Sequence, residues 1–199
     1  VGAVAVGVGG AAGVALGLAA AARGGALDVL LMRIVDFGIA FPALLTALIA
    51  SADLGPGIAA PMAALAIYDA AAMARLTRNL ARDAYGRDYV AAARLAGARE
   101  AAIAWRHALP NVAPALVAQA TLLLAVATLA ESALSYLGLG VQPPAPSWGR
   151  MLADAQGLIY VAPRLAIYPG LAIAALALGF NLLGDGIARR LDPRRGLTR

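Results

Sequence analysis

The sequence predicts an all-α, polytopic membrane helical bundle with five spanning helices, and three observations carry that prediction. Of its 199 residues 62% are hydrophobic and 14% charged, with a mean hydropathy of +0.78, well outside the range of soluble globular domains. The apolar residues gather into runs near the ~20 residues a helix needs to cross the hydrocarbon core of a bilayer. Between the runs the charge is lopsided: all sixteen basic residues are arginine, and fourteen of them fall in connections on one side of the implied membrane.

Val1 to Ala22 supplies 22 residues without a charge, the first span. Its Gly9, Gly13 and Gly17 recur every fourth position, which puts a small-residue groove on one face for close packing against another helix. A chain opening on Val1, with no initiator methionine and no charged leader, reads as trimmed rather than as a signal peptide. Ile34 to Ala52 forms the second span, with Asp36 near its start and a kink at Pro42, and Asp53-Leu54-Gly55-Pro56-Gly57 makes the turn that follows. Ile58 to Ala74 returns as the third. It is alanine-rich and contains Pro61 and Asp69, so it should face protein rather than lipid, with Asp69 within one or two turns of a partner in Arg75 or Arg78. Val112 to Leu137 and Leu165 to Gly184 complete the set.

Short loops rich in basic residues stay in the cytoplasm. Arg23 and Arg33, seven arginines from Arg75 to Arg106 and five from Arg189 to Arg199 lie on one side, whereas only Arg150 and Arg164 lie on the other. The loop 75–110 and the tail 185–199 are therefore expected in the cytoplasm, and the segment 138–164 outside. In that outer segment Ser147 should cap a short interfacial helix from Trp148 to Gln156. The run from Arg189 to Arg195 should anchor the chain at anionic headgroups, where each basic residue contributes about 1 kcal/mol.

In the arginine-rich loop Asp88 can cap a helix from Tyr89 to Ala96, Gly97 suits a left-handed stop, and Ala98 to Ala108 can form a second helix ending before Pro110. Alanines at 91, 92, 93 and 96 leave the first helix thin enough for a partner's groove, with Arg94 and Arg99 available to an acidic rim. A solvated linker is the alternative. Within the spans, Glu131 lies near the outer end of the fourth with Ser132 and Ser135 at helical spacings. It either lines a pathway or bonds a neighbouring helix, since an unpaired charge there costs several kcal/mol. Asn181 and Asp185, four apart on one helix face, should hold the fifth span against its neighbours or against the loop.

Several functions are excluded. There is no cysteine and a single histidine, His107, so thiol chemistry and multi-histidine metal sites are out. Without lysine the chain has no phosphate-binding P-loop, and it carries neither GxSxG nor HExxH. The pI near 10.2 does not indicate nucleic acid, because the arginines sit between spans rather than along one soluble face.

The run Ala91-Ala92-Ala93, Gly97 and His107-Ala108-Leu109-Pro110 resembles the EAA loop of ABC importer permeases. Three further stretches agree: Arg33-Ile34-Val35-Asp36 with Phe41-Pro42, Leu137 to Pro144 with Pro146-Ser147-Trp148-Gly149, and Phe180 to Gly186 with Leu191-Asp192-Pro193. Together they are similar to the dipeptide, oligopeptide and nickel branch. The resemblance covers essentially the whole chain, although such subunits usually carry one more N-terminal span. It departs at Ala91, where the family has glutamate, and at His107, where an aliphatic residue is usual. The resemblance implies the type I importer permease fold and no enzymatic activity or cofactor in this chain, with ATP-Mg handled by two separate ATPase subunits. They would dock on Tyr89, Ala91, Ala92, Ala93, Arg94, Gly97, Arg99, Leu109 and Pro110. It further implies a second homologous permease subunit, an extracytoplasmic substrate-binding protein, and a setting in the bacterial or archaeal cytoplasmic membrane. Peptides, nickel or another small solute would cross a pathway to which Glu131, Ser132, Ser135 and Asn181 are assigned. A self-contained channel or secondary transporter, the competing reading, needs a coupling relay or paired half-repeats, and the sequence shows neither.

Overall fold

Glycine spacing sets how the first helix of this computed structural model meets the fourth. The structure describes residues 2–191, so Asp192-Pro193 and the arginines at 194, 195 and 199 lie outside the described residues. Helix α1 (Gly2–Arg23) lies along α4 (Ala59–Tyr85). A Cβ on Gly9 would fall on the Ala66 carbonyl, one on Gly13 on the Ala70 carbonyl, and one on Gly17 would sit 2.5 Å from the Ala74 carbonyl oxygen. Three glycines thus meet three backbone carbonyls, each set four residues apart, and the backbones approach to a distance no larger residue allows. The predicted small-residue groove is therefore an interhelical contact, held by van der Waals packing, which persists in lipid where hydrophobic association does not.

Between them the chain forms α2 (Gly25–Ala40) and α3 (Ala43–Leu54), bent by 74°. The span expected over 34–52 is two helices that meet at Pro42, where the kink was expected, and the first begins earlier, at Gly25. Pro42 has no N–H to donate into a continuing helix and holds Phe41 in an extended conformation, φ −93° and ψ 128°. Two carboxylates attach α2 to α4. Asp28, 4% exposed, accepts bonds from Arg78 at 2.5 and 2.9 Å and from Arg82 at 3.4 Å, and Asp36 pairs with Arg75. Asp69 therefore does not take Arg75 or Arg78 as expected. Those arginines leave α4 toward α2, and Asp69 stays buried with its Oδ2 unpartnered among the described residues.

Helix α4 continues to Tyr85 and takes up the first eleven positions of the predicted loop. After α5 (Asp88–Leu95) and α6 (Glu100–Ile103), a π-helical turn at Ala104–Ala108 leads into α7 (Leu109–Tyr136). The outer segment holds α8 (Trp148–Ala155) with a 3-10 turn at Gln156–Leu158, and α9 (Arg164–Leu191) closes the chain, running past the predicted end of the fifth span at 184. The main core joins Val6 of α1, Leu65 and Met73 of α4, and Val112, Leu116 and Leu123 of α7. Helix α9 packs on α7 through Gly184, whose missing side chain leaves room for Thr121.

By length and composition three helices are able to cross a membrane, Gly2–Arg23, Glu100–Tyr136 and Arg164–Arg190, or four with the bent pair counted as one. Five were expected. The remaining candidate is α4, 27 residues long, which carries Asp69 in its first half and Arg75, Arg78, Arg82 and Asp83 in its second and does not qualify by composition. The two ends of the bundle differ in composition. Arg23, Asp28, Arg78, Arg82 and α5 gather at one end; Gly2, Glu131, Gly57 and Trp148 gather at the other, where Gly57 donates to the Leu139 carbonyl at 3.4 Å.

Replacing Gly13 by Leu should destabilise the bundle by about 1–3 kcal/mol or more, the cost of overpacking, whereas Gly7→Ala, where a Cβ meets nothing within 4 Å, should be silent; thermal unfolding in detergent compares them. Asp28→Ala should cost about 2–3 kcal/mol in the same assay. That is less than a fully buried pair because Arg78 keeps some access to solvent.

Candidate functional site

Helix α5 ends in a Schellman motif. The Ala98 N–H donates to the Ala93 carbonyl at 3.0 Å and the Gly97 N–H to the Arg94 carbonyl at 2.9 Å, while Gly97 takes φ +82°. That conformation costs an L-residue about 1–2 kcal/mol, which is why glycine stands there. The face turned outward is small and apolar: Ala91, Ala92, Ala96 and Gly97 are exposed, and Leu95 is 91% exposed. Asp88 opens the helix, but no side chain caps it.

The opposite face ties α5 to the bundle. Val90 and Ile103 are fully buried. Asn111, at the base of α7, donates through Nδ2 to the Tyr89 hydroxyl at 3.2 Å and to the His107 carbonyl at 2.6 Å, and the Tyr89 and His107 rings lie 6.2 Å apart. Arg94 is held within the chain by Glu100, with bonds of 2.7 and 3.2 Å, and lies over the Tyr85 ring at 5.6 Å. The hydrogen bond to Glu100 pushes the Arg94 guanidinium up, against the opposing effect of its burial. Burial pushes the Tyr85 hydroxyl up, Glu100 adds to that, and Arg94 works against it. Arg94 is therefore braced within the chain while its side chain stays 43% exposed, whereas Arg99 is exposed and forms no ion pair among the described residues.

The second helix of this loop does not end before Pro110, as the sequence predicted. It passes from α6 through the π turn into α7, where the Leu109 N–H reaches back five residues to the Ala104 carbonyl. Pro110 cannot supply the i to i−4 bond to Arg106, and the wider turn accommodates the loss, while the Asn111 side chain bonds the adjacent His107 carbonyl. Leu109 and Pro110 thus sit inside one continuous rod from Glu100 to Tyr136, 37 residues long.

At the other end, Glu131 gathers part of the predicted pathway set. Its Oε1 accepts from Ser135 Oγ at 2.7 Å and from Ser147 Oγ at 3.3 Å, and Ser135 Oγ in turn accepts the Val141 N–H at 3.1 Å. These bonds fasten the outer loop to α7 beside a cleft of about 470 Å³ that Glu131, Thr128, Trp148 and Leu176 help to line. Ser147 was expected to cap α8; its hydroxyl goes to Glu131 instead. Ser132 is not part of this cluster. It donates to the Thr128 carbonyl at 2.8 Å, and its backbone lies under Gly149. Asn181 is exposed on α9 and bonds only the Ala177 carbonyl of its own helix, so it does not hold α9 to a neighbour. Among the described residues no three metal-ligating side chains converge.

Sequence reasoning missed Asn111, Glu100 and Leu95. Asn111 follows the Leu-Pro pair, where a side-chain amide can bond a carbonyl of the preceding turn, and Leu95 interrupts an alanine helix two residues before its glycine stop. Those signals were readable. The direction of Arg94 was not, because it depends on Glu100 across the Gly97 turn.

The family model described as "Binding-protein-dependent transport system inner membrane component" matches residues 13–196. Over 182 residues the chain is 38% identical to the dipeptide transport system permease protein DppC of Alkalihalophilus pseudofirmus and 43% to the di/tripeptide transport system permease protein DppC of Pseudomonas aeruginosa. It is 40% identical to the glutathione transport system permease protein GsiD of Pectobacterium atrosepticum, again over 182 residues. Each alignment covers 92% of this chain and 60% of the relative, so the chain spans about 60% of the length of these relatives. Among solved structures, an inward-facing MetNI methionine ABC transporter chain superposes with a TM-score of 0.72 at 20% identity, covering 94% of this chain and 91% of that one. That likeness concerns the fold.

Gly97→Val should raise amide exchange at Ala96 and Ala98 by about tenfold, the equivalent of 1.4 kcal/mol of backbone strain. No neighbour stands within 4 Å to clash with the new Cβ. Asn111→Leu should speed exchange along α5 while leaving the middle of α7 protected; unchanged α5 exchange would show that Asn111 does not hold that helix.

Proposed function

The chain belongs to the family of binding-protein-dependent transport system inner membrane components, and from that premise we propose that it is the membrane-spanning permease subunit of an ATP-driven importer of peptides. The observation that carries the coupling part of this reading is α5: an exposed alanine and leucine surface closed by Gly97 and bonded through Tyr89 and Asn111 to the base of α7. Such a surface fits a groove on a separate ATPase, and its attachments convey displacement of that surface to the spanning helix. Two ATPases with ATP-Mg, a second homologous permease subunit and an extracytoplasmic binding protein complete the assembly in this reading.

Five crossings follow when the bent pair α2–α3 counts as one and α4, sheathed by α1, α2, α3 and α7, counts as another. The arginine-rich end then faces the cytoplasm, with the C-terminus, in a bacterial or archaeal inner membrane. At the outer end, Glu131 with Ser135 and Ser147 stands where a solute delivered from outside enters. The peptide assignment leans on the dipeptide, di/tripeptide and glutathione transport named for the relatives; nickel or another small solute is the narrower possibility within the branch.

Leu95→Asp should abolish co-purification with the ATPase and ATP-dependent uptake together, because a charge placed in an apolar groove without a partner costs several kcal/mol. A cysteine at Ala92 should be shielded from an impermeant reagent in intact cells and react once the membrane is opened; labelling in intact cells would invert the topology. Glu131→Gln should slow uptake while the ATPase still co-purifies, and an unchanged rate would leave Glu131 with the structural role alone.

A further inference from the structure

A groove of about 610 Å³ runs between α1 and α7, open along one side. Its walls are low because the residues are small: Gly7, Gly10 and Ala11 on α1 face Ala113 and Ala120 on α7, and Met73 of α4 forms the floor. From Val6 to Leu18 it extends about 18 Å at the helical rise of 1.5 Å per residue. The groove is apolar along this length and long enough to take an extended hydrocarbon chain.

One end of this apolar groove is polar. It passes into a second cleft of about 300 Å³ that shares Ala15, Leu18 and Trp105 and adds Arg23 and Glu100. Glu100 is neutralised by its two bonds to Arg94. Arg23 is exposed and forms no ion pair among the described residues, and the Trp105 indole, 68% exposed, makes no hydrogen bond among them. The mouth therefore offers an uncommitted positive charge and a free N–H donor beside an acyl-sized slot. Arginine and tryptophan are also the residues that sit at headgroup depth.

We propose that this groove binds an anionic phospholipid, with one acyl chain between α1 and α7 and the phosphate at Arg23 and Trp105. The site lies away from the Glu131 cleft and rests only on the membrane setting, although its mouth adjoins, through Glu100, the Arg94 brace of α5. Bound there, the lipid would fill the space that the glycines of α1 leave on the side away from α4, and would brace α1 against the rod that carries the π turn.

The test places a photoreactive diazirine side chain at Ala15, which borders both clefts, in the full-length subunit reconstituted with its partners in vesicles of phosphatidylglycerol and phosphatidylcholine. Mass spectrometry then identifies the adducts. Phosphatidylglycerol should be captured about fivefold above its share of the bilayer, the factor that one interfacial arginine contributes. Arg23→Gln should return the ratio to that of the bilayer, and Arg23→Lys should keep the enrichment. Capture at the bilayer ratio with Arg23 present, enrichment that survives Arg23→Gln, or adducts formed mainly with another protein segment would each overturn the proposal.

Discussion

The contact of Gly9, Gly13 and Gly17 with the carbonyls of Ala66, Ala70 and Ala74 is the constraint on which the rest of the molecule depends. Inside a bilayer no hydrophobic force drives one apolar helix onto another, so association rests on how closely the backbones approach. With α1 locked on one side, α4 is surrounded by protein over its middle and tolerates a sequence too polar to face lipid. Its arginines are then free to leave in another direction, and Arg75, Arg78 and Arg82 reach Asp36 and Asp28. Those pairs place α2 at the arginine-rich end, and the break at Pro42 then redirects α3 along α4.

The same helix supplies the base beneath the exposed surface of α5. Tyr85, on the last turn of α4, sits under Arg94, which is held by Glu100 at the start of the rod leading into α7. Asn111 closes the circuit from the rod back to Tyr89. Helix α5 is consequently bound to both α4 and α7 and has no hinge of its own besides the turn at Gly97. A partner that moves this small helix moves the ends of two long ones. The absence of the family's glutamate at Ala91 removes one polar contact from the outward face, and the exposed side chain of Leu95 stands a turn further along it.

Much of this was legible in the sequence. Apolar runs found the long helices, fourfold glycine spacing found the α1 contact, and the Gly97 stop was placed correctly because a left-handed residue leaves a local signature. The failures share a cause. Pairing Asp69 with Arg75 or Arg78 used proximity along one helix, whereas the arginines are claimed by Asp28 and Asp36, 50 and 39 residues away. Ending the loop helix before Pro110 applied a rule that a π turn overrides. Expecting Asn181 to hold the last span against its surroundings used helical spacing without knowing which face α9 turns inward.

The central claim is that α5 and α7 move as one body when a partner acts on the α5 surface. Spin labels at Ala92 and Ala115, compared with a pair at Ala92 and Leu171, measure this by pulsed electron resonance in the reconstituted assembly with and without ATP. The account predicts that the distance from α5 to α7 stays constant while the distance from α5 to α9 changes. A changed distance between Ala92 and Ala115, with Ala115 fixed relative to Leu171, would contradict it.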